Sequence, residues 1–577
     1  MSLGLELACA LFILGTARAM VPIQCGTPAH MKRRECCPTF SADGSPCGII
    51  SNRGRCQDIT RESPWQREER ERVHGGSRDF RLWWPTYFFR RLCVCRGNYG
   101  GADCSECAYG WWGERCQLRH TVTRRDIAAL PLAEQRRFVY RLHLAKVTLS
   151  RRYVIYASES HAPGSPLTFR RASVYNIAAY LHYTCAKIIS VHPNSTYAHR
   201  GSAFLGWHRL LAIYLEQEIR NITGYQDFAL PYWNWAGQTH CDVCTDQLFG
   251  ASLPDGRLSP GSVFSNWTTY CSDDGDHQWD FGMVCPPVPG EPILRFNRLD
   301  DRFDQLPSVD DVRACLSIDR FDTPPYNPLA LDSFRNALEG FINPQSPGNV
   351  KISMHNLMHI YCGGTLGNIF LTTNDPLFMP MHVFVDKLFE MWLRRHPGTG
   401  YPTGNVPFGH QARDKVVTFI PIYENRDMMK SCREFGYNYD DMEVRDWQDS
   451  PVAPGPQGST ELIVHDLLLL PQGSQSLTCG SVRPSSKELR RSASLSQPAP
   501  PFRTDLTAES ALATSLPWSK TSLAFAFRSS PGPPIASPTS KSLPNSVRNP
   551  PAFRRCPGRA CRQKPPPDFH VHRFVCR

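Results

Sequence analysis

Residues Ser353–Arg395 read SMHNLMHIYCGGTLGNIFLTTNDPLFMPMHVFVDKLFEMWLRR. His355 and His359 are four apart, so a helix puts them on one face. An Asn374-Asp375-Pro376 break follows, and His382 begins a second amphipathic run. Two helices can then aim three imidazoles at one point. Neutral imidazole suits copper, zinc, iron and nickel. A second trio lies upstream. His182 sits in an amphipathic run over 174–189, His199 in a short loop, and His208 in the first turns of a run over 203–222. Helical periodicity also covers 125–156, 332–341 and 352–361. The fold expected is mainly α: a four-helix-bundle dinuclear metal core with long loops, preceded by a small disulfide-rich EGF-like module.

Of the 19 histidines, most need no function. His192, His240, His277, His396, His410 and His465 sit in loop-like or polar stretches, where a solvated or hydrogen-bonded ring is expected. The six singled out differ in arrangement, because each trio combines helix-borne residues with one delivered from a turn. Six neutral ligands without a thiolate or carboxylate suit two metal ions that share an anionic bridge. Two Cu(I) ions can each give one electron to O2, and three imidazoles per copper leave a coordination position open.

Residues 5–15 are apolar and Ala17-Arg18-Ala19 follows, which reads as a signal peptide over 1–19. Ten of the 23 cysteines fall between Cys25 and Cys116. An even count in a Gly-rich stretch of an exported chain predicts a disulfide framework for 20–118. The rhythm from Cys93 to Cys116 is that of EGF-like modules, whose task is structural or protein-binding. Cys241/Cys244 and Cys271/Cys285 are expected to staple long loops. The metal domain is assigned to 119–450. Asn194, Asn221 and Asn266 open glycosylation sequons and predict surface positions. Residues 451–577 are rich in Pro, Ser and Arg, and are expected to form a disordered tail.

The net charge of +11 comes from that tail. From Arg483 onward, 16 Lys/Arg and 4 Asp/Glu leave +12, so the other 482 residues sum to −1. A basic tail on a neutral fold gives no nucleic-acid surface. No apolar run after the signal reaches the roughly 20 residues a spanning helix needs, so no membrane anchor is expected. A location in the secretory pathway or outside the cell is expected.

The pattern His182 … AHRGSAFLGWHR … LPYWNWA … SMHNLMH … NDPLFMPMH resembles tyrosinases and tyrosinase-related proteins, the type 3 copper family, in its animal pigment-cell branch. The likeness spans about residues 25–445. It implies His182, His199 and His208 on one metal and His355, His359 and His382 on the other. It implies two copper ions, a phenolic substrate and O2. The chemistry is hydroxylation of monophenols such as tyrosine, and oxidation of o-diphenols such as DOPA to o-quinones, on the route to melanin. Glu339 and Asn356 match a pair that orients a water to take the phenol proton; the alternative for Glu339 is a carboxylate paired with Arg335. Phe378 and Phe384 are expected to wall the pocket. Asp386 is expected either to hold a ligand imidazole or to be a surface carboxylate. Met381 stands where vertebrate tyrosinases carry a second histidine. Segments such as CDVCTDQLFGA and FDTPP are closer to the tyrosinase-related proteins, so two zinc ions and dopachrome isomerisation form the alternative. A haemocyanin-like oxygen carrier is more distant, since the chain has one metal domain and not a series of repeats.

Overall fold

The computed structural model describes residues 20–60, 79–156, 167–189, 192–271, 285, 290–297, 305–342 and 351–442. The signal peptide and the 451–577 tail lie outside them. Met1–Thr478 is one compact unit and Cys479–Arg577 a second, which also lies outside the described residues.

Among the described residues, seven helices longer than four residues organise the metal domain, labelled here in chain order: α1 (Leu132–Val147), α2 (Val174–Ala186), α3 (Phe204–Thr223), α4 (Val309–Leu316), α5 (Phe334–Glu339), α6 (Met354–Cys362) and α7 (Phe378–Arg395). The periodic stretch 125–156 is helical only within α1. Pro131 occupies its N-cap, and the chain after it turns into a strand, Tyr153–Tyr156. Conversely, α7 starts one turn before His382. Pro380 sits in its first turn, where the missing N–H costs nothing.

Local chemistry sets the helix ends. Ser173 caps α2 by accepting from the Asn176 N–H at 3.2 Å. Gly224, at φ +70°, closes α3 with an N–H donated to Arg220 O. The run read as amphipathic over 174–189 is instead buried on nearly every side in α2, the pattern of a helix enclosed by the core. α3 packs against α2 and α7, and α5 packs against α6. These contacts bring the histidine-bearing helices together.

Arg295 holds the turn that delivers α7. Its guanidinium grips Asp375 with two bonds, of 2.5 and 3.0 Å, and donates to Phe249 O and Gly250 O. Asp375 in turn accepts from the Leu377 N–H at 2.8 Å, at the helix start. The Asn-Asp-Pro break is therefore a pinned corner.

Five disulfides run through the cysteine-rich segment: Cys25–Cys36, Cys37–Cys56, Cys47–Cys93, Cys95–Cys104 and Cys107–Cys116. Cys241–Cys244 and Cys271–Cys285 are bonded as expected. This segment shares its core with the metal domain. Phe80 and Phe88 pack edge-on against Tyr156, at 5.6 and 5.0 Å. Arg152 bridges Glu106 of the segment and Glu218 of α3. Asn221 and Asn266 are exposed, and the side chain of Asn194 lies outside the description. Among the described residues no helix is long and apolar enough to cross a membrane.

Arg81 makes the cysteine-rich segment part of the site's support. It is fully buried and paired with Asp79 through bonds of 2.7 and 2.8 Å. Its remaining donors reach Thr184 O, Lys187 O and Ile188 O at the end of α2. A guanidinium there satisfies terminal carbonyls and complements the helix dipole. Arg81→Met should cost about 3–5 kcal/mol, since Asp79 is left charged and buried. Chemical denaturation of the metal-free protein checks this; a loss below about 1 kcal/mol would mean that Asp79 finds another cation.

Candidate metal centre

Five of the six imidazoles ride on helices: His182 on α2, His208 on α3, His355 and His359 on α6, His382 on α7. His199 comes from the loop before α3. In each trio the ligand nitrogens lie within 4.8 Å of one another. In the second, the Nε2 atoms form a triangle with edges of 3.0, 3.2 and 3.4 Å. Three nitrogens about 2.0–2.1 Å from one metal ion at near-tetrahedral angles stand about 3.3 Å apart.

The hydrogen-bond partners of the rings place their protons. His355 Nδ1 donates to Glu339 O at 3.0 Å, with Asn356 Oδ1 at 3.1 Å. His359 Nδ1 donates to Leu366 O at 2.7 Å. A neutral ring has one proton, so both Nε2 atoms carry lone pairs. Those lone pairs face each other at 3.0 Å. The arrangement repels unless a cation sits between them. His208 repeats the pattern: Nδ1 donates to Phe204 O at 2.9 Å, while Nε2 is buried without a hydrogen-bond partner. The donor set fits a metal ion in each trio.

The two trios touch. The rings of His208 and His382 stack at 4.4 Å with 14° between their planes. Phe378 lies 4.1 Å from His382 and 5.1 Å from His182, so it walls both sites as expected. Phe204, which sequence reading missed, packs 4.9 Å from His208 and from His355. Phe384 does not line the pocket. It is two residues from His382, on the other side of α7, and packs on Trp235 and Tyr232.

Asp386 likewise departs from expectation. It is buried and accepts from Arg209 Nε at 2.5 Å, Arg124 Nη1 at 3.2 Å and the hydroxyls of Tyr437 and Tyr439. It holds no ligand imidazole, and His382 Nδ1 has no hydrogen-bond partner. Four donors leave this carboxylate no capacity for a ring. Burial pushes its pKa up, but Arg209 and Arg124 outweigh that and hold it below the usual carboxylate range. His410 is buried too, bonded on both ring nitrogens, and not solvated.

Glu339 is buried. Its Oε1 accepts from the Arg200 N–H at 2.5 Å and its Oε2 from Arg335 Nη1 at 3.0 Å. Arg335 also binds Asp322. Burial raises the Glu339 pKa above the ordinary value despite both partners. Gly340, at φ +115°, ends α5 directly against α6. A Cβ there would stand 2.2 Å from Ser353 O. This close approach brings Glu339 O to the His355 ring.

The family model described as the common central domain of tyrosinase matches residues 172–395. The chain is 36% identical over 454 residues to a tyrosinase of Felis catus, covering 76% of this chain and 84% of that protein. It is 35% identical over 475 residues to the 5,6-dihydroxyindole-2-carboxylic acid oxidase of Gallus gallus, covering 78% and 85%. A polyphenol oxidase structure from Thermothelomyces thermophila is similar at 19% identity over 55% of this chain and 88% of that one, with a TM-score of 0.38. Two adjoining three-imidazole clusters and this similarity define the class of protein. The chain belongs to the tyrosinase family.

Burial holds every one of the six imidazoles below the ordinary 6.5, His208 at about 3 and His359 at about 4. They stay neutral in the fold, while the unfolded chain takes up protons near pH 6.5. Between pH 6.5 and about 4 the unfolded state binds more protons, so stability falls as pH falls. The midpoint of thermal unfolding of the metal-free protein should drop steadily across that window; a flat profile would contradict the burial. Gly340→Ala should lower occupancy of the second trio by displacing the Glu339 carbonyl, read as metal bound per chain.

Proposed function

We propose that this protein is a copper oxidoreductase of melanin formation. It hydroxylates monophenols such as tyrosine and oxidises o-diphenols such as DOPA to o-quinones. The observation that carries this reading is the Nε2 triangle of His355, His359 and His382 beside a matching trio. Family membership supports it. His182, His199 and His208 hold one copper, and His355, His359 and His382 the other. When bound, the copper pair supplies the electron transfers that reduce O2 while the phenol ring is oxygenated.

The protein's own groups do the rest. A phenol ionises near pH 10, so its proton must be taken up as it enters the site. Glu339 and Asn356 are the residues assigned to hold the water that accepts it. Each Glu339 oxygen has one bond from the protein, which leaves lone pairs for a water. Phe378 offers an apolar wall for the substrate ring and keeps bulk water away.

In the same reading, 1–19 is a signal peptide, 20–118 an EGF-like cysteine-rich module that meets protein partners, 119–450 a catalytic domain built on a four-helix bundle, and 451–577 a tail. The protein works in the secretory pathway, in melanosomes or after secretion. Imidazole trios accept zinc as well as copper, and zinc would make the pocket a Lewis-acid isomerase of dopachrome.

Metal analysis of the protein together with oxygen uptake on L-tyrosine and L-DOPA separates these readings. Two copper ions per chain with quinone formation is the expected result. Zinc, dopachrome loss and no oxygen uptake would replace it with the isomerase. His359→Ala should reduce turnover by at least about 100-fold; retained turnover would refute the ligand assignment.

A further inference from the structure

We propose that His410 is a positioning residue for the first metal trio: its buried imidazole staples together the two ends of the loop that presents His199. The proposal rests on the reading of His182, His199 and His208 as metal ligands.

His199 is the one ligand borne by irregular backbone. Its Nδ1 has no hydrogen-bond partner. His208, His355 and His359 are aimed by their own Nδ1–carbonyl bonds. The aim of His199 must therefore come from the loop itself. That loop runs from Tyr197 to Ala203 and includes Arg200 in the left-handed region, at φ +61°. A lone non-glycine residue there is held by its surroundings.

The His410 ring spans the loop. Its Nδ1 accepts from the Ala203 N–H at 3.1 Å. Nδ1 is thus unprotonated, and Nε2 carries the proton. Nε2 donates to Thr196 O at 2.6 Å, with Ser195 Oγ at 2.8 Å. Thr196 Oγ1 in turn accepts from the His199 N–H at 2.9 Å. One rigid ring therefore fixes the separation of residues 196 and 203. The ring also lies on the bare Cα of Gly201, where a Cβ would stand 2.7 Å from two of its atoms.

The staple is itself anchored. Tyr401 donates its hydroxyl to His410 O at 2.9 Å, and the His410 N–H reaches Pro407 O at 3.0 Å. Asp414 accepts from the Gly409 N–H at 2.7 Å. Glu339 and Asp322 fasten the same loop from the other side, through the Arg200 N–H and the Ser202 hydroxyl. Only a neutral imidazole puts an acceptor and a donor on opposite sides of one rigid ring.

The test uses the full-length protein with His410→Phe, which keeps the ring and removes both bonds. Wild type should hold two metal ions per chain. In H410F, metal content should fall toward one, and amide exchange at residues 196–203 of the metal-free protein should speed up by about tenfold. His410→Gln, whose carboxamide pairs an acceptor with a donor, should recover most of both. Two ions and unchanged exchange in H410F would overturn the proposal, as would equal loss of both ions with exchange raised everywhere. If H410F fails to fold, Gly201→Ala decides: its methyl pushes the same ring, and intact metal content with unchanged exchange would overturn the staple. A wild type without paired metal ions would instead sink the metal reading on which the proposal rests.

Discussion

Nitrogen lone pairs facing one another in a dry core are the constraint on which this structure turns. Five of the six imidazoles are buried and His359 is partly buried, and loss of solvent keeps each of them neutral. A buried polar atom without a partner is costly. The Nε2 lone pairs of His355 and His359, 3.0 Å apart, add mutual repulsion. A metal ion reverses both effects at once, so binding and local order are one free-energy term. The site is therefore a stored penalty in the chain alone, and everything around it has to hold the rings against it.

Two kinds of support do this. Where a ligand sits on a helix, the helix fixes its backbone, and for three rings a carbonyl also fixes the tautomer: Phe204 O, Glu339 O and Leu366 O. Where backbone is irregular, buried charges take over. Arg295–Asp375 pins the corner before α7, Arg81–Asp79 closes the end of α2, and Arg335 ties Asp322 to Glu339 beside the His199 loop. Breaking such pairs is expensive because the survivor is left charged in a dry place. They serve here to specify geometry in loops that have no ladder of their own.

Much of this was legible in the residues. The i, i+4 spacing of His355 and His359 needs only helical geometry, and the apolar patterns announced α2, α3 and α6. The even cysteine count in 25–116 became five disulfides. Phe378 was placed correctly, four residues from His382 on the same face. Phe384 failed by the same rule, since two residues on a helix point apart. Asp386 shares a helix with His382 at i+4, yet Arg124, Arg209, Tyr437 and Tyr439 claim it from three other parts of the chain. His410 gave no local signal, because the partners of its ring lie more than 200 residues away.

The sequence by itself determined the two histidine trios, the helices that carry most of them and the disulfide-rich start of the chain. Those depend on spacing along a backbone of known period, which is local information. Only the tertiary structure decided which nitrogens of His208, His355 and His359 are left free of a proton, and which acidic groups are already consumed by arginine. Those depend on hydrogen bonds and ion pairs between distant segments. In a buried, low-dielectric setting such contacts are strong enough to override what each residue would do in its own stretch of chain.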